Sequence, residues 1–155
     1  MSEPVIDIRV GADDFTVQSE YDALCSQNTD DGAVVFFVGR VRDINEGDAV
    51  KQLHLEHYPG MTETVLAELA AKAAQRWPLS RIRIVHRVGD FAPSDQIVFV
   101  GVSSPHRKAA FDGAAFLMDF LKTRAPFWKK ETGPDGVSRW LDARQTDDEL
   151  AQRWS

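Results

Sequence analysis

The stretch QIVFVGVSSPHRKAAFDGAAFLMDFLKTR, residues 96–124, decides the centre of this fold. Its first nine residues are mostly apolar or small and predict a largely buried strand. The remainder repeats apolar residues at helical spacing and predicts a helix, with Ser104 as the N-cap and Pro105 at the first helical position. A buried strand and a long helix therefore follow one another directly.

Strands and helices intermix on both sides of this stretch. Strands are predicted at PVIDIRVG, DGAVVFFVGRVRD, VKQLHLEHY, SRIRIVHRVG and VSRWLDAR, and helices at FTVQSEYDALCSQ, PGMTETVLAELAAKAAQRWP and DDELAQRW. Thr62 is the expected N-cap of the long central helix. Short connections that suit antiparallel neighbours predict an α+β fold rather than a doubly wound parallel sheet. The length of 155 residues predicts a single domain, 1–155.

The composition argues against several classes of protein. A net charge of −6 and a pI near 5.2 disfavour a general binder of nucleic acid or of anionic membranes. The chain contains no apolar run near the ~18 residues of a spanning helix and begins without signal-peptide features, so we expect a cytoplasmic protein. The only cysteine, Cys25, allows no internal disulfide, and the four histidines show no metal-ligand spacing. We therefore predict no metal site.

Positive charge is nevertheless concentrated locally. Eight of the 18 lysine and arginine residues fall in three short windows at the ends of predicted elements: Arg40, Arg42, Arg107, Lys108, Lys122, Arg124, Lys129 and Lys130. If the windows converge, they form a positive hollow in an acidic shell. Such a hollow would suit a small, highly charged substrate or the carboxylate tail of a partner.

Lys122 stands out because it falls on the apolar stripe of its helix, roughly 20° from Phe111. Burying an unpaired ammonium is costly, so the position indicates either a functional group or a side chain that extends to solvent and answers the helix dipole. Pro126 should end the helix at Ala125. The following basic-aromatic loop would then present Lys129 and Lys130 towards the helix end, although a solvated loop is the simpler alternative.

Two further pairs of basic residues could bind an anion. Arg40 and Arg42 have strand period two and project from one face, where they could clamp an anion or simply be solvated. His106 and Arg107 occupy the first turn of the helix, where free N–H groups favour an anion. An ordinary capping histidine is the alternative for His106.

Five blocks of the sequence together resemble the large, catalytic subunit of molybdopterin synthase, the MoaE family. They are DGAVVFFVGRVRD, LEHYPGMTE, RWPLSRIRIVHRVG, DQIVFVGVSSPHR and FLMDFLKTRAPFWKKE, in collinear order from about Asp31 to Arg144. The resemblance implies an α/β hammerhead fold with an additional antiparallel β subdomain. It also implies a homodimer within a heterotetramer, in which each copy binds one small ubiquitin-like sulfur-carrier subunit.

The resemblance further implies a sulfurtransferase that needs no cofactor. The Gly-Gly tail of the carrier, ending as a thiocarboxylate, would supply two dithiolene sulfurs that convert cyclic pyranopterin monophosphate to molybdopterin. Lys122 and Lys129 are the implied catalytic residues, with Lys122 as oxyanion stabiliser or proton-transfer group. The implied substrate-binding residues are Arg40, Arg42, His106, Arg107, Lys122, Lys129, Lys130 and Glu131.

Three other residues carry expectations from the same resemblance. Phe36 and Met118 would form apolar walls, and Arg144 would reach into the site of the neighbouring protomer. Two other functions stay open, namely a non-catalytic binder of phosphorylated pterins or nucleotides and an adaptor that only docks a ubiquitin-like tail. In both, binding would survive Lys122→Ala, whereas in an enzyme that substitution would abolish product.

Overall fold

The computed structural model describes residues 3–45, 48–49, 51–141, 149 and 151–154. Three helices lie in this part of the chain: α1 (Val17–Cys25), α2 (Met61–Arg76) and α3 (Arg107–Arg124). The strands are β1 (Val5–Gly11), β2 (Ala33–Arg40), β3 (Ile44–Asn45), β4 (Asp48–Ala49), β5 (Gln52–His57), β6 (Arg81–Arg87), β7 (Gly89–Phe91), β8 (Gln96–Ser104), β9 (Phe127–Thr132) and β10 (Ser138–Leu141). None of these helices has the length and apolar character that crossing a membrane requires.

The first sheet has the strand order β1-β6-β8-β2 and is built around the stretch that opened the sequence analysis. β8 is central and is buried along its last seven residues, as predicted. β1 runs parallel to β6, and the other pairs are antiparallel. Helices α2 and α3 cover one face over a core that includes Leu66, Ile84, Val100 and Leu117, while α1 packs on the other face near Leu24 and Phe99.

The second sheet is antiparallel, in the order β10-β9-β5-β7. One of its faces is apolar, with Leu53, Leu55 and Phe91 buried together with Val41. The mixture of elements and the separate antiparallel sheet confirm the predicted α+β class with an added β subdomain.

The main correction concerns the basic-aromatic stretch, which is strand β9 and not a loop. Pro126 ends α3 at Arg124 as predicted, and Ala125 takes an extended conformation as the C-cap. β9 then pairs with β10 through a short hairpin and with the distant β5 on its other side, so its backbone hydrogen-bonding groups are satisfied. Local sequence does not signal the pairing with β5.

Both helix starts also differ from the prediction. Ser104 is the last residue of β8, paired with Ala33, and its Oγ accepts a hydrogen bond from the backbone N–H of His106, the actual N-cap of α3. The N-cap of α2 is Gly60, at φ 85°, a left-handed conformation that favours glycine. Thr62 is instead buried, and its Oγ1 donates to the Tyr58 carbonyl at 2.8 Å.

Candidate functional site

The charges of the two predicted catalytic lysines act on one buried histidine near the point where α3 ends and β9 begins. His86, near the end of β6, is only 5% exposed. Burial and, to a smaller extent, the nearby positive charges of Lys122 and Lys129 together lower the pKa of His86 to about 3. The two lysines therefore act electrostatically on the same ring, and His86 itself stays neutral.

Strand alternation separates Lys129 from Lys130. Lys129 pairs with the buried Leu55 and shares its face of the sheet, whereas Lys130 pairs with His54 on the opposite face. The Nζ of Lys130 lies 5.4 Å from the centroid of the Trp140 ring. The expectation that both lysines return to the helix end is therefore wrong for Lys130, because consecutive residues of a strand point to opposite sides. The substrate-binding role of Lys130 stays a prediction.

Glu131 lies on the same face as Lys129 and is 8% exposed. Its Oε2 is 4.0 Å from a guanidinium nitrogen of Arg139 on β10. The carboxylate also lines a cavity of about 390 Å³, together with Ala49, Gly133, Pro134, Asp135, Val137 and Arg139. Glu131 is thus placed to accept a polar group from this side of the sheet.

Lys122 is exposed, because the buried stripe of α3 is rotated from the predicted one. The core-facing residues include Ala110, Gly113 and Leu117, whereas Phe111 is 59% exposed. A Cβ at Gly113 would lie 2.7 Å from Cδ1 of Leu79, so the missing side chain lets α3 approach the core on this face. Lys122 lies on the margin of the stripe and avoids the cost of burial.

The end of α3 that carries Lys122 is held by the C-terminal residues. Asp119, one turn earlier, is buried and accepts hydrogen bonds from Nε1 of Trp154 at 2.6 Å and from Nε of Arg153 at 3.1 Å. The Trp154 ring packs on Trp77 and Phe116, with centroid distances of 5.4 and 5.7 Å. These contacts restrain the helix end, which favours a fixed position for Lys122.

Arg40 and Arg42 lie on the same end of the first sheet as Lys122. They are exposed and flank the buried Val41. The strand prediction holds only for Arg40, because β2 ends there with a break in register after Gly39 and Arg42 lies beyond the strand. Arg40 pairs with Gln96 at the start of β8, and its Nε donates to the Ser94 carbonyl at 3.3 Å. Since α3 runs back along β8 to this end, the two arginines and Lys122 belong to one region.

His106 and Arg107 do not join this region within one chain. They are exposed at the start of α3, and Arg107 is about 22 Å along the helix axis from Lys122 at 1.5 Å per residue. The three windows of positive charge therefore do not all converge in the single chain, because a long helix separates its own two ends.

Phe36 and Met118, the residues expected to form apolar walls, lie in different parts of the fold. Phe36 lies on the α1 side of the first sheet, where its ring stacks on Phe99 at 5.4 Å. Phe37, next in sequence, is on the other face, the one that packs against α3. Met118 is half-buried against the α2–α3 core, and Arg144 lies outside the described residues.

Sequence reasoning missed His86 and His57 as parts of this region. The His86 ring stacks on Phe127, with centroids 3.8 Å apart and planes 18° apart. A signal was present, because His86 continues the alternation of Ile82 and Ile84 on the inward face of β6. A buried histidine in an otherwise apolar row needs a hydrogen-bond partner, so it marks a position where a polar group is required.

Comparison with known proteins agrees with this architecture. The family model described as MoaE protein matches residues 10–124. The molybdopterin synthase catalytic subunit of Salmonella typhimurium is 58% identical over 147 residues, which cover 95% of this chain and 97% of that protein.

Solved structures show the same fold. The molybdopterin biosynthesis MoaE protein from Burkholderia ambifaria aligns with a TM-score of 0.82 at 51% identity, covering 97% of this chain and 98% of that one. A chain from the complex of subunits 1 and 2 of the molybdopterin-converting factor of Helicobacter pylori aligns at 0.68 and 20% identity over 90% of each chain, a likeness of fold alone. By the family match and these identities, this chain belongs to the MoaE family.

Proposed function

We propose that this chain is the catalytic subunit of a molybdopterin synthase. It would convert cyclic pyranopterin monophosphate to molybdopterin with two sulfurs from the C-terminal thiocarboxylate of a small ubiquitin-like carrier. The observation that supports this most is the placement of Lys122 and Lys129 around the neutral His86. The names of the relatives point to the same reaction.

Hydrolysis of the acyl–sulfur bond builds up negative charge on the acyl oxygen, so the reaction needs cations beside the acyl carbon. In each transfer the carrier's sulfur bonds to a side-chain carbon of the pterin while that carbon loses a bond to oxygen, which departs as water or as the freed end of the cyclic phosphate. Water then adds to the acyl carbon of the carrier, and the acyl carbon–sulfur bond breaks. The carrier leaves as a carboxylate and the sulfur stays on the product. Lys122 would stabilise the tetrahedral oxyanion by donating from its ammonium group, and Lys129 would transfer protons or hold phosphate.

The substrate's phosphate and the polar edge of its pterin need further donors. Arg40 and Arg42 are exposed at the same end of the sheet as Lys122 and suit bidentate binding of a phosphate. The net charge of −6 means that anion binding must depend on such local clusters. Glu131 would orient Lys129 or accept from a pterin N–H. No cofactor is part of this proposal.

We further propose that the chain acts as a homodimer, joined by two carriers in a heterotetramer. A second copy would bring its own His106 and Arg107 to Lys122, which the length of α3 prevents within one chain. The outer edge of β2 pairs with no strand of the described chain, and Phe36 and Phe37 on it are exposed. An exposed edge strand presents unpaired backbone N–H and C=O groups, and a second copy of the chain could cover it.

The test mixes purified protein with thiocarboxylated carrier and cyclic pyranopterin monophosphate and measures dithiolene product. Lys122→Ala and Lys129→Ala should lower the rate by about 10²- to 10⁴-fold while carrier binding persists. Lys72→Ala, at an exposed position on α2, is the matched control and should keep the wild-type rate.

Two results would contradict the proposal. If wild type binds the carrier and the pterin yet makes no product, the chain is an adaptor or a pterin-binding protein. If Lys122→Ala turns over normally, the catalytic role of the lysine fails.

A further inference from the structure

Phe127 contacts two histidines that come from different sheets. The His86 ring of β6 is stacked on it, with centroids 3.8 Å apart. The His57 ring of β5 is its second neighbour, with centroids 6.3 Å apart and planes 35° apart. His57 and Phe127 are also direct partners across the β5–β9 ladder. Phe127 thus connects the first sheet to the second.

The two histidine rings differ in how they are held, because in the described part of the chain only the His86 ring makes a hydrogen bond through Nδ1. Nδ1 of His86 lies 2.8 Å from the carbonyl oxygen of Arg87, which makes Nδ1–H the donor and fixes the ring plane. Nδ1 of His57 is 3.9 Å from Oε1 of Glu63 and has no hydrogen-bond partner within the described residues. The Glu63 carboxylate in turn accepts the N–H of Gly60 at 3.3 Å.

Phe127 also occupies a decisive place along the chain. It is the first residue of β9, it follows the turn at Ala125 and Pro126, and it lies on the same face as Lys129 two residues later. Its N–H donates to the Ala125 carbonyl at 2.9 Å. Fixing Phe127 therefore fixes the direction in which β9 leaves α3, and with it the position of Lys129 relative to Lys122.

We propose that His86 and His57 are positioning residues, which clamp Phe127 and so hold Lys122 and Lys129 at their working separation. The inference rests on the proposed function, and it gives a role to two histidines in the motifs LEHYPGMTE and SRIRIVHRVG that the reaction itself does not use. Neither histidine need touch the reacting atoms.

Histidine suits the His86 position better than a purely apolar ring because its Nδ1–H satisfies the Arg87 carbonyl, which a phenylalanine would leave without that donor. Burial, with smaller contributions from Lys122 and Lys129, lowers its pKa to about 3, so the ring is as uncharged as a phenylalanine at neutral pH.

The kinetic test compares His86→Ala with His86→Phe in the complete reaction with carrier and pterin. His86→Ala should lower kcat by about tenfold to a hundredfold, because reacting groups lose their alignment, while KM for the pterin changes less than threefold. His86→Phe keeps a ring against Phe127 and should recover most of kcat. His54→Ala, on the opposite face of the second sheet, should behave as wild type.

A second measurement does not depend on turnover. In ¹H–¹³C NMR spectra, His86→Ala should shift the ring signals of Phe127 and the Cε signals of Lys122 and Lys129, whereas His54→Ala should leave them in place. If wild type makes no product but these shifts occur, the proposed function fails and the clamp stands. Unchanged lysine signals in a folded His86→Ala, wild-type kcat in that variant, or a His86→Phe as slow as His86→Ala would each overturn the clamp.

Discussion

His86 on β6 and His54 on β5 have opposite electrostatic environments. His86 is buried against Phe127, and burial lowers its pKa to about 3. His54 lies on the outer face of the second sheet, between the exposed carboxylates of Glu56 and Asp90 at 3.0 and 2.7 Å. Hydrogen bonds to Glu56 and then to Asp90 raise the pKa of His54. The same residue type is thus neutral at the buried position 86, whereas at the exposed position 54 the protonated form is favoured.

The difference extends to the whole second sheet. Its inner face carries Leu55, Phe127 and Lys129, next to His86, whereas its outer face carries His54 and Lys130. The inner face is largely buried and carries the candidate catalytic lysine Lys129, whereas the outer face is exposed to solvent and its charged groups pair with one another. In this sheet the role of a residue therefore depends less on its type than on which face of the strand its side chain occupies.

The largest expected effect contrasts the two adjacent lysines of β9. Lys129→Ala should lower the rate of dithiolene formation by about 10²-fold or more, because Lys129 is on the face of His86. Lys130→Ala should lower it by less than about tenfold, because it removes a charge from the opposite face. Steady-state kinetics of both variants measure the ratio, and equal losses would remove the distinction between the faces.

The next contrast concerns stability. Leu55→Ala, at a side chain that is 1% exposed, should lower the free energy of unfolding by about 2–5 kcal/mol, because it leaves a cavity. Gln52→Ala, at an exposed position on the outer face of the same strand, should change it by less than about 0.5 kcal/mol. Urea denaturation provides both values, and a small loss in Leu55→Ala would contradict the assignment of the inner face as core.

The buried histidine should make the protein sensitive to acid. The pKa of His86 is lowered in the folded state, so the unfolded chain binds a proton first as pH falls, and the stability due to the neutral ring is lost from about pH 6.5 towards about 3. Urea midpoints measured across this interval should fall less steeply in His86→Phe than in wild type. Parallel curves would show that the ring is not kept neutral by burial.

The smallest effect belongs to His54 and has the opposite sign. Its pKa is raised in the folded state, so its pairing with Glu56 and Asp90 stabilises the protein fully below the unfolded pKa and is lost as pH rises through the folded one. The carboxylates are exposed, so the contribution should be only a few tenths of a kcal/mol and should weaken in salt. His54→Gln should remove this pH dependence in thermal unfolding at low ionic strength.

Much of the fold was readable from local patterns. The apolar run of β8, the alternation of β6 and the periodicity of α2 depend on short-range spacing, and all three elements form where the sequence predicted them. The end of α3 was predictable because Pro126 disfavours helical geometry in the residue before it. The cluster of cations near that end was equally visible.

The candidate site was only partly readable. The position of Lys122 at the helix end followed from sequence, but its exposure depends on which face of α3 packs on the core, and that face includes Gly113 and Leu117. The separation of Lys129 from Lys130 required the knowledge that β9 is a strand. The distance between Arg107 and Lys122 followed only once both were placed on one unbroken helix.

By itself the sequence determined most of the elements, though not β9, together with the family and the positions of the charged residues, because these depend on neighbours within a few positions. Only the tertiary structure decided that the basic-aromatic stretch pairs with β5, and that Phe127 contacts both His57 and His86. Those contacts join residues that are distant in the chain. Long-range strand pairing and ring packing have no signature in local spacing, and they set which lysine faces the site.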